Sequence, residues 1–366
     1  MYLNDGQGVF NRRSQKVLDK PYSGKCVTKI DYDRDGDIDI LIGNRIIPQS
    51  YPIAAPSLLL ENENGMLVDR TKDIVPQLAE VGIVNDIVIT DLNGDGWDDF
   101  ITVGEWTGIH RFRNDHGVFV KEQDTLLRNL AGWWLSIQET DVNSDGKPDF
   151  VVGNVGENIK HKASKDKPFK VYANDFDNTG NLDIVLSSPY KGEYVPVRGR
   201  ECSSQQMPMI AEKFKTYSSF AQASLVDIYG EDKLTDAYVR QAVTFKSILL
   251  LNNGEGDFTI HNLPHYAQMF PLLDMVEEDL NQDGFADLII AGCIYDTEVE
   301  TPRLDNGHGL VLLSNKSDGY FLGDQDQYRI FIPGDVKSLQ TIAIADEEYL
   351  LAAKNDDVLS IFKVDR

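Results

Sequence analysis

The chain has 366 residues, 42% of them hydrophobic, and its 59 acidic side chains outnumber 35 basic ones to give a net charge of −24. That balance argues against nucleic acid and anionic membrane as partners, since both need a basic face. No run of about 18 apolar residues is present to span a membrane, and three scattered cysteines, Cys26, Cys202 and Cys293, make neither a disulfide framework nor a zinc spacing.

From the N-terminus, residues 1–10 (MYLNDGQGVF) lack the basic start and apolar stretch of a signal peptide. They read as the end of a strand hairpin, and so as a piece of a longer chain. Five segments then repeat one pattern: 31–39 (DYDRDGDID), 91–99 (DLNGDGWDD), 141–149 (DVNSDGKPD), 175–183 (DFDNTGNLD) and 279–287 (DLNQDGFAD). Each reads D-x-[DN]-x-[DT]-G-x-x-D, follows β-leaning residues and opens an apolar, strand-like run such as ILIG, FITVG or LIIAG. A second motif lies between them: an apolar strand, an Asn/Gly turn and an aromatic, at 2–10, 58–67, 110–119, 249–258 and 311–321. Such turns between alternating strands signal hairpins. Strand, acidic loop, strand and hairpin add to about four strands per repeat, the content of one propeller blade. A sixth unit, 342–364, keeps its strands, but its loop (Asp346, Glu347, Glu348) has no glycine. The expected fold is an all-β propeller of six to eight blades, with seven favoured, over a single domain 1–366.

Calcium takes six to eight oxygen ligands. A loop with side chains at alternate positions can offer three of them, at positions one, three and five. These are Asp31, Asp33 and Asp35; Asp91, Asn93 and Asp95; Asp141, Asn143 and Asp145; Asp175, Asp177 and Thr179; Asp279, Asn281 and Asp283. The glycine at position six permits the turn. Position seven offers a carbonyl, so its side chain is free: Asp37, Trp97, Lys147, Asn181 or Phe285. Position nine is always Asp (Asp39, Asp99, Asp149, Asp183, Asp287) and closes the shell. With Thr179 in place of an acid, the fourth loop is expected to bind weakly or stay empty. The loops hold 18 carboxylates in all, which would repel one another unless cations neutralised them. An EF-hand is excluded by length and flanks, since its loop has twelve residues, ends in Glu and sits between helices. Up to five calcium ions are expected, chiefly as fasteners.

These loops and hairpins resemble FG-GAP/VCBS-type repeats, as in integrin α-subunit propellers and bacterial surface proteins. The stretches YANDFDNTGNLD, SLVDIYG and YDTEVETPRLDNGHGLVLL are similar to bacterial ASPIC/UnbV-like repeat proteins. The resemblance implies a calcium-binding propeller, exported to the cell surface or beyond, with an adhesive or ligand-binding role toward protein or glycan and no common catalytic residue. The loop starts lie 60, 50, 34 and 104 residues apart, which breaks the period.

The longest break, 190–246, reads as two or three short helices inserted within one blade, with Ile210, Phe214, Tyr217 and Phe220 near helical spacing and Thr235 as a cap for 234–245. Residues 160–170 (KHKASKDKPFK) hold five lysines and a histidine in an acidic chain. They read as a solvated loop or an anion site, joined by His161, Arg198 and Arg200, with Tyr190 and Tyr194 as stacking surfaces for sugar rings. Trp133 and Trp134 read better as core. The alternative function is a propeller polysaccharide lyase or hydrolase built on the insertion and this basic loop. His161, His265, His308 and Tyr194 would be its candidate proton-transfer groups, but each histidine stands alone in the sequence.

Overall fold

The computed structural model describes residues 1–366 apart from Glu255, Val299, Asp346, Asp365 and Arg366. Asp346 of the expected sixth loop therefore lies outside the described residues. The protein is mostly β, and the chain divides into two compact units, residues 1–102 with 110–123, and residues 103–109 with 124–366.

The first unit holds two four-stranded antiparallel sheets in chain order. One runs Ser23–Ile30, Asp39–Ile46, Leu58–Glu63, Met66–Asp69; the other runs Asp86–Thr90, Asp99–Val103, His110–Asn114, Phe119–Lys121. In each, the acidic loop joins the first two strands and the Asn/Gly turn joins the last two. The strand Asp99–Val103 is buried throughout, which explains why Phe100, Ile101 and Val103 follow Asp99 without hydrophobic–polar alternation. Leu41, Leu59, Val75, Leu78, Phe100 and Phe112 form the core, with Phe100 stacked on Phe112 at 4.5 Å. The hairpin Tyr2–Asn4 with Phe10–Arg12 is a separate, exposed two-stranded sheet.

In the second unit, the strands Gly132–Thr140 and Asp149–Asn154 continue not into the next residues but into Ile248–Gly254 and Asp257–Asn262, with Glu105–Thr107 on the outer edge. Between Asn154 and Ile248 the chain builds another sheet, ordered Glu193–Pro196, Asp183–Tyr190, Phe169–Asn174, Tyr238–Ala242. The fourth acidic loop thus belongs to an excursion inside the third repeat, which accounts for the irregular spacings of 34 and 104 residues. The sheet Asp274–Glu278, Asp287–Ala291, Leu310–Ser314, Tyr320–Leu322 follows, then the three strands Val336–Ile344, Glu347–Lys354, Ser360–Lys363.

The insertion holds five short helices where two or three were expected: Arg200–Gln206, Met209–Lys213, Tyr217–Ala221, Leu225–Tyr229 and Glu231–Thr235. Thr216 and Ser224 each close a capping box. Ile210, Phe220, Leu225 and Ile228 pack onto Phe176 of the fourth acidic loop and Val185 of the sheet. The expected helix over 234–245 is instead the strand Tyr238–Ala242. Its Tyr-Val start suits a strand, and the free edge of Phe169–Asn174 supplies its hydrogen bonds. Thr235 ends a helix and caps none. Among the described residues no helix is long and apolar enough to cross a membrane. Cys26, Cys202 and Cys293 are all free thiols.

Candidate functional site

The second, third and fifth loops fold on themselves in one way. Asp91 Oδ1 accepts from the Asp95 N–H at 3.1 Å and its Oδ2 from the Gly96 N–H at 2.7 Å. Asp141 does the same with Asp145 (3.0 Å) and Gly146 (2.9 Å), and Asp279 with Asp283 (3.0 Å) and Gly284 (3.0 Å). Asn93, Asn143 and Asn281 each accept from the position-five N–H as well, and Asp95, Asp145 and Asp283 accept from position seven. These bonds gather the oxygens of positions one, three and five around one backbone turn. The turn needs positive φ twice, at the glycine and again at position four, where Arg34, Ser144, Asn178 and Gln282 have φ of 56 to 61°. Non-glycine residues rarely adopt that conformation; Gly94 (φ 72°) and Asn178 suit it, whereas Arg34, Ser144 and Gln282 give no sequence signature of it.

Position nine does more than close a shell. One oxygen of Asp99, Asp149, Asp183 and Asp287 accepts the position-two N–H, from Leu92, Val142, Phe176 and Leu280. In the sheets that continue into a hairpin, the other oxygen accepts a backbone N–H of the third strand. Asp183, in the excursion, faces the Gln206 side chain at 3.4 Å instead. Burial pushes the Asp39, Asp99 and Asp149 carboxyls up to about 6, with neighbouring loop carboxylates adding to the effect.

The first loop is the exception, and it is the one with five carboxylates. Asp39 is 1% exposed, and its Oδ2 has no hydrogen-bond partner; neither do the buried Oδ1 atoms of Asp31 and Asp37. One oxygen each of Asp31, Asp33 and Asp39 lie within 4.8 Å of one another, as do those of Asp175, Asp177 and Asp183 in the fourth loop. Of the three that converge in the first loop, Asp31 and Asp39 each have a buried oxygen without a donor, while Asp33 accepts from the Asp35 N–H at 3.2 Å; converging carboxylate oxygens of this kind suit a hard divalent cation. The residues present therefore fit calcium, and Asp31, Asp33 and Asp39 would hold it in the first loop. In the third, fifth and fourth loops a lysine stands close by. Lys147 lies 3.4 Å from Asp145, Lys316 lies 2.9 Å from Asp283, and Lys233 donates to the Asp175 carbonyl and to Asn178 Oδ1. Thr179 offers its hydroxyl to the Asn181 amide at 3.4 Å.

The basic stretch lies on a cleft of about 540 Å³ in the second unit, lined in part by Lys160, His161, Lys162 and Lys167. His161 is buried, stacked on Phe169 at 4.5 Å, and burial holds its imidazole down at about 4. Arg198 does not line the cleft: Glu298 accepts from it at 2.6 Å, and Gln206 at 3.1 Å. Arg200 caps helix carbonyls, donating to Phe214 O at 2.6 Å. Tyr194 donates to Pro168 O, and Lys170 covers its ring at 4.1 Å, whereas Tyr190 is exposed. Trp134 is fully buried, and Trp133 packs among Trp106, Phe169 and Phe245. His308 Nδ1 lies 3.0 Å from the Ile332 carbonyl, and His265 stands against Tyr266.

Residues 91–152 match the FG-GAP-like repeat family, from the second acidic loop through the third and into the strand after it. The chain thus carries an FG-GAP-like repeat, as the sequence resemblance implied. No curated protein matches the chain in sequence. Among solved structures it is similar to the V. cholerae biofilm matrix protein Bap1, with 10% identity, a TM-score of 0.35, and 97% of this chain and 70% of that one covered. It is also similar to BBS1N in its complex with ARL6DN, with 12% identity, a TM-score of 0.32, and 95% and 93% covered. At scores this low, shared geometry defines neither a common fold nor a common ligand.

Proposed function

We propose that this chain is a calcium-braced β-propeller acting as an exported surface interaction module toward a protein or glycan ligand. The observation that carries the calcium reading is the first loop, where three buried carboxylate oxygens of Asp31, Asp37 and Asp39 have no donor. A divalent ion supplies the missing positive charge, and its binding free energy adds to folding. The ion's role is mechanical: it fixes the loop that joins the first two strands of a sheet, so that the loops and hairpin turns stay rigid enough to present a ligand surface. Sheets of four antiparallel strands, each hinged on such a loop, support the propeller reading.

The test is a calcium titration of the whole chain by calorimetry, with thermal unfolding followed in calcium and in chelator. Saturable binding of up to five ions is expected, with a stabilisation of about 2.7 kcal/mol per site at a hundredfold excess over Kd. Absence of both heat and stabilisation overturns the reading.

A further inference from the structure

The cleft beside residues 160–169 is built unlike the rest of the surface. The segment 160–170 carries five lysines in a chain of net charge −24. Among the described residues, Lys162, Lys165 and Lys167 have no carboxylate partner within 4 Å; the Lys162 ammonium donates only to the Glu157 carbonyl, at 2.7 Å. Lys160 is held in place by Glu298, which also accepts from Arg198 and Thr301. Arg198 is therefore a positioning group, fixing the carboxylate that orients Lys160. Ser188, Pro189, Pro196, Val197 and Phe169 complete the lining. The volume of about 540 Å³ lies within the usual range for small-ligand sites.

We infer that this cleft binds a charged unit of an acidic saccharide, the lysines pairing with its carboxylate or sulfate groups and the proline and valine faces taking its ring. The inference names a ligand class for the interaction module proposed above and rests on that reading. Two features select a saccharide over a nucleic acid. Beyond about 8 Å the lysine field is screened, and the chain's net charge of −24 disfavours a long, dense polyanion. Duplex DNA carries a charge every 1.7 Å or so and would meet that repulsion along its length, whereas an acidic glycan spaces its charges on neutral rings. The buried, neutral His161 adds no charge to the floor, so recognition falls to the lysine rim and the apolar wall.

The experiment is calorimetric titration of the full chain, calcium-loaded, with a galacturonate oligomer and separately with a chondroitin sulfate oligosaccharide. Binding of either is expected, weakening as salt rises, and falling by roughly tenfold or more in K162E/K167E. Carboxylate-only or sulfate-only binding identifies which group the rim reads. The milder K162Q/K167Q variant, with its calcium-dependent unfolding midpoint measured alongside, separates lost binding from lost folding. No binding of either saccharide overturns the inference. So does equal binding by the charge-reversed variant, or equal binding of poly-glutamate, which carries charge without rings. The calcium titration reads the broader proposal independently, so the two can fail separately.

Discussion

The Asn114 backbone N–H donates to Asp99 Oδ1 at 2.6 Å, and that bond joins the two motifs of the repeat. The Asn114 side chain completes the link, its own oxygen accepting the Gly117 N–H of the hairpin turn at 2.7 Å. The relationship recurs between Asn62 and Asp39, Asn252 and Asp149, and Ser314 and Asp287, each at 2.8 Å. Position nine is therefore a backbone clamp that forms without an ion.

This separates position nine from position five. Asp99→Ala strips the acceptor from two buried N–H groups and should destabilise by about 2–4 kcal/mol. It should do so in chelator as well as in calcium. Asp95→Ala touches an exposed carboxylate and should shift the unfolding midpoint only when calcium is present. Denaturant titrations of both variants under the two conditions decide it. If Asp99→Ala were harmless in chelator, position nine would be a metal ligand and nothing more.

Much of this was legible in the sequence. Repeated Asp spacing located every acidic loop, and the Asn/Gly turns located the hairpins. What escaped was non-local. Nothing between Asn154 and Ile248 announces that the strand pairing skips 93 residues, because register lies in the partner strand and not in the segment itself. The helix expected over 234–245 failed for the same reason: an open edge on Phe169–Asn174 captured Tyr238–Ala242. At the basic cleft, the lysines were visible, but the pairing of Arg198 with Glu298 spans 100 residues and left no local trace.

The loops should not bind alike. The first has unpartnered carboxylate oxygens and should fill at the lowest calcium concentration. The fifth has Lys316 at 2.9 Å from Asp283, a built-in cation that competes with an ion. Lys316→Ala should tighten calcium binding there several-fold, and Thr179→Asp should do likewise in the fourth loop by restoring an acid at position five. Site-resolved calcium titrations check both; unchanged isotherms for the two variants would remove the hierarchy.

His161 predicts a pH dependence of definite sign. The folded chain keeps its ring neutral down to about pH 4, through burial and the adjacent Lys160 charge, with Glu298 opposing. Unfolded, the ring protonates near pH 6.5 or so. Between these values the unfolded state binds the extra proton, so this contribution is complete above about pH 6.5 and is lost as pH falls toward 4. The loss is on the order of 2–3 kcal/mol. Asp39, Asp99 and Asp149 titrate over the same interval with opposite sign, so the comparison must be with His161→Phe, which keeps the stack on Phe169. The variant should lose less stability than wild type between pH 7 and pH 4, about the range given by the ordinary His value and its depressed one; parallel curves would contradict the assignment.

Loops one and two are in contact, and this should be visible optically. The Arg34 guanidinium, from position four of the first loop, lies 4.3 Å over the ring of Trp97 at position seven of the second, and His116 packs on that ring at 5.2 Å. An ion that orders the first loop fixes Arg34, and the cation–π contact passes that order to Trp97, at an exposed-site strength of about 0.5–1 kcal/mol. Calcium should therefore change Trp97 emission, and Trp97→Phe should remove the change. Arg34→Ala should abolish the part that follows filling of the first loop while weakening calcium binding at the second, since coupling between two sites is reciprocal. Wild type and Arg34→Ala giving the same emission and affinity curves would show that the two loops bind independently.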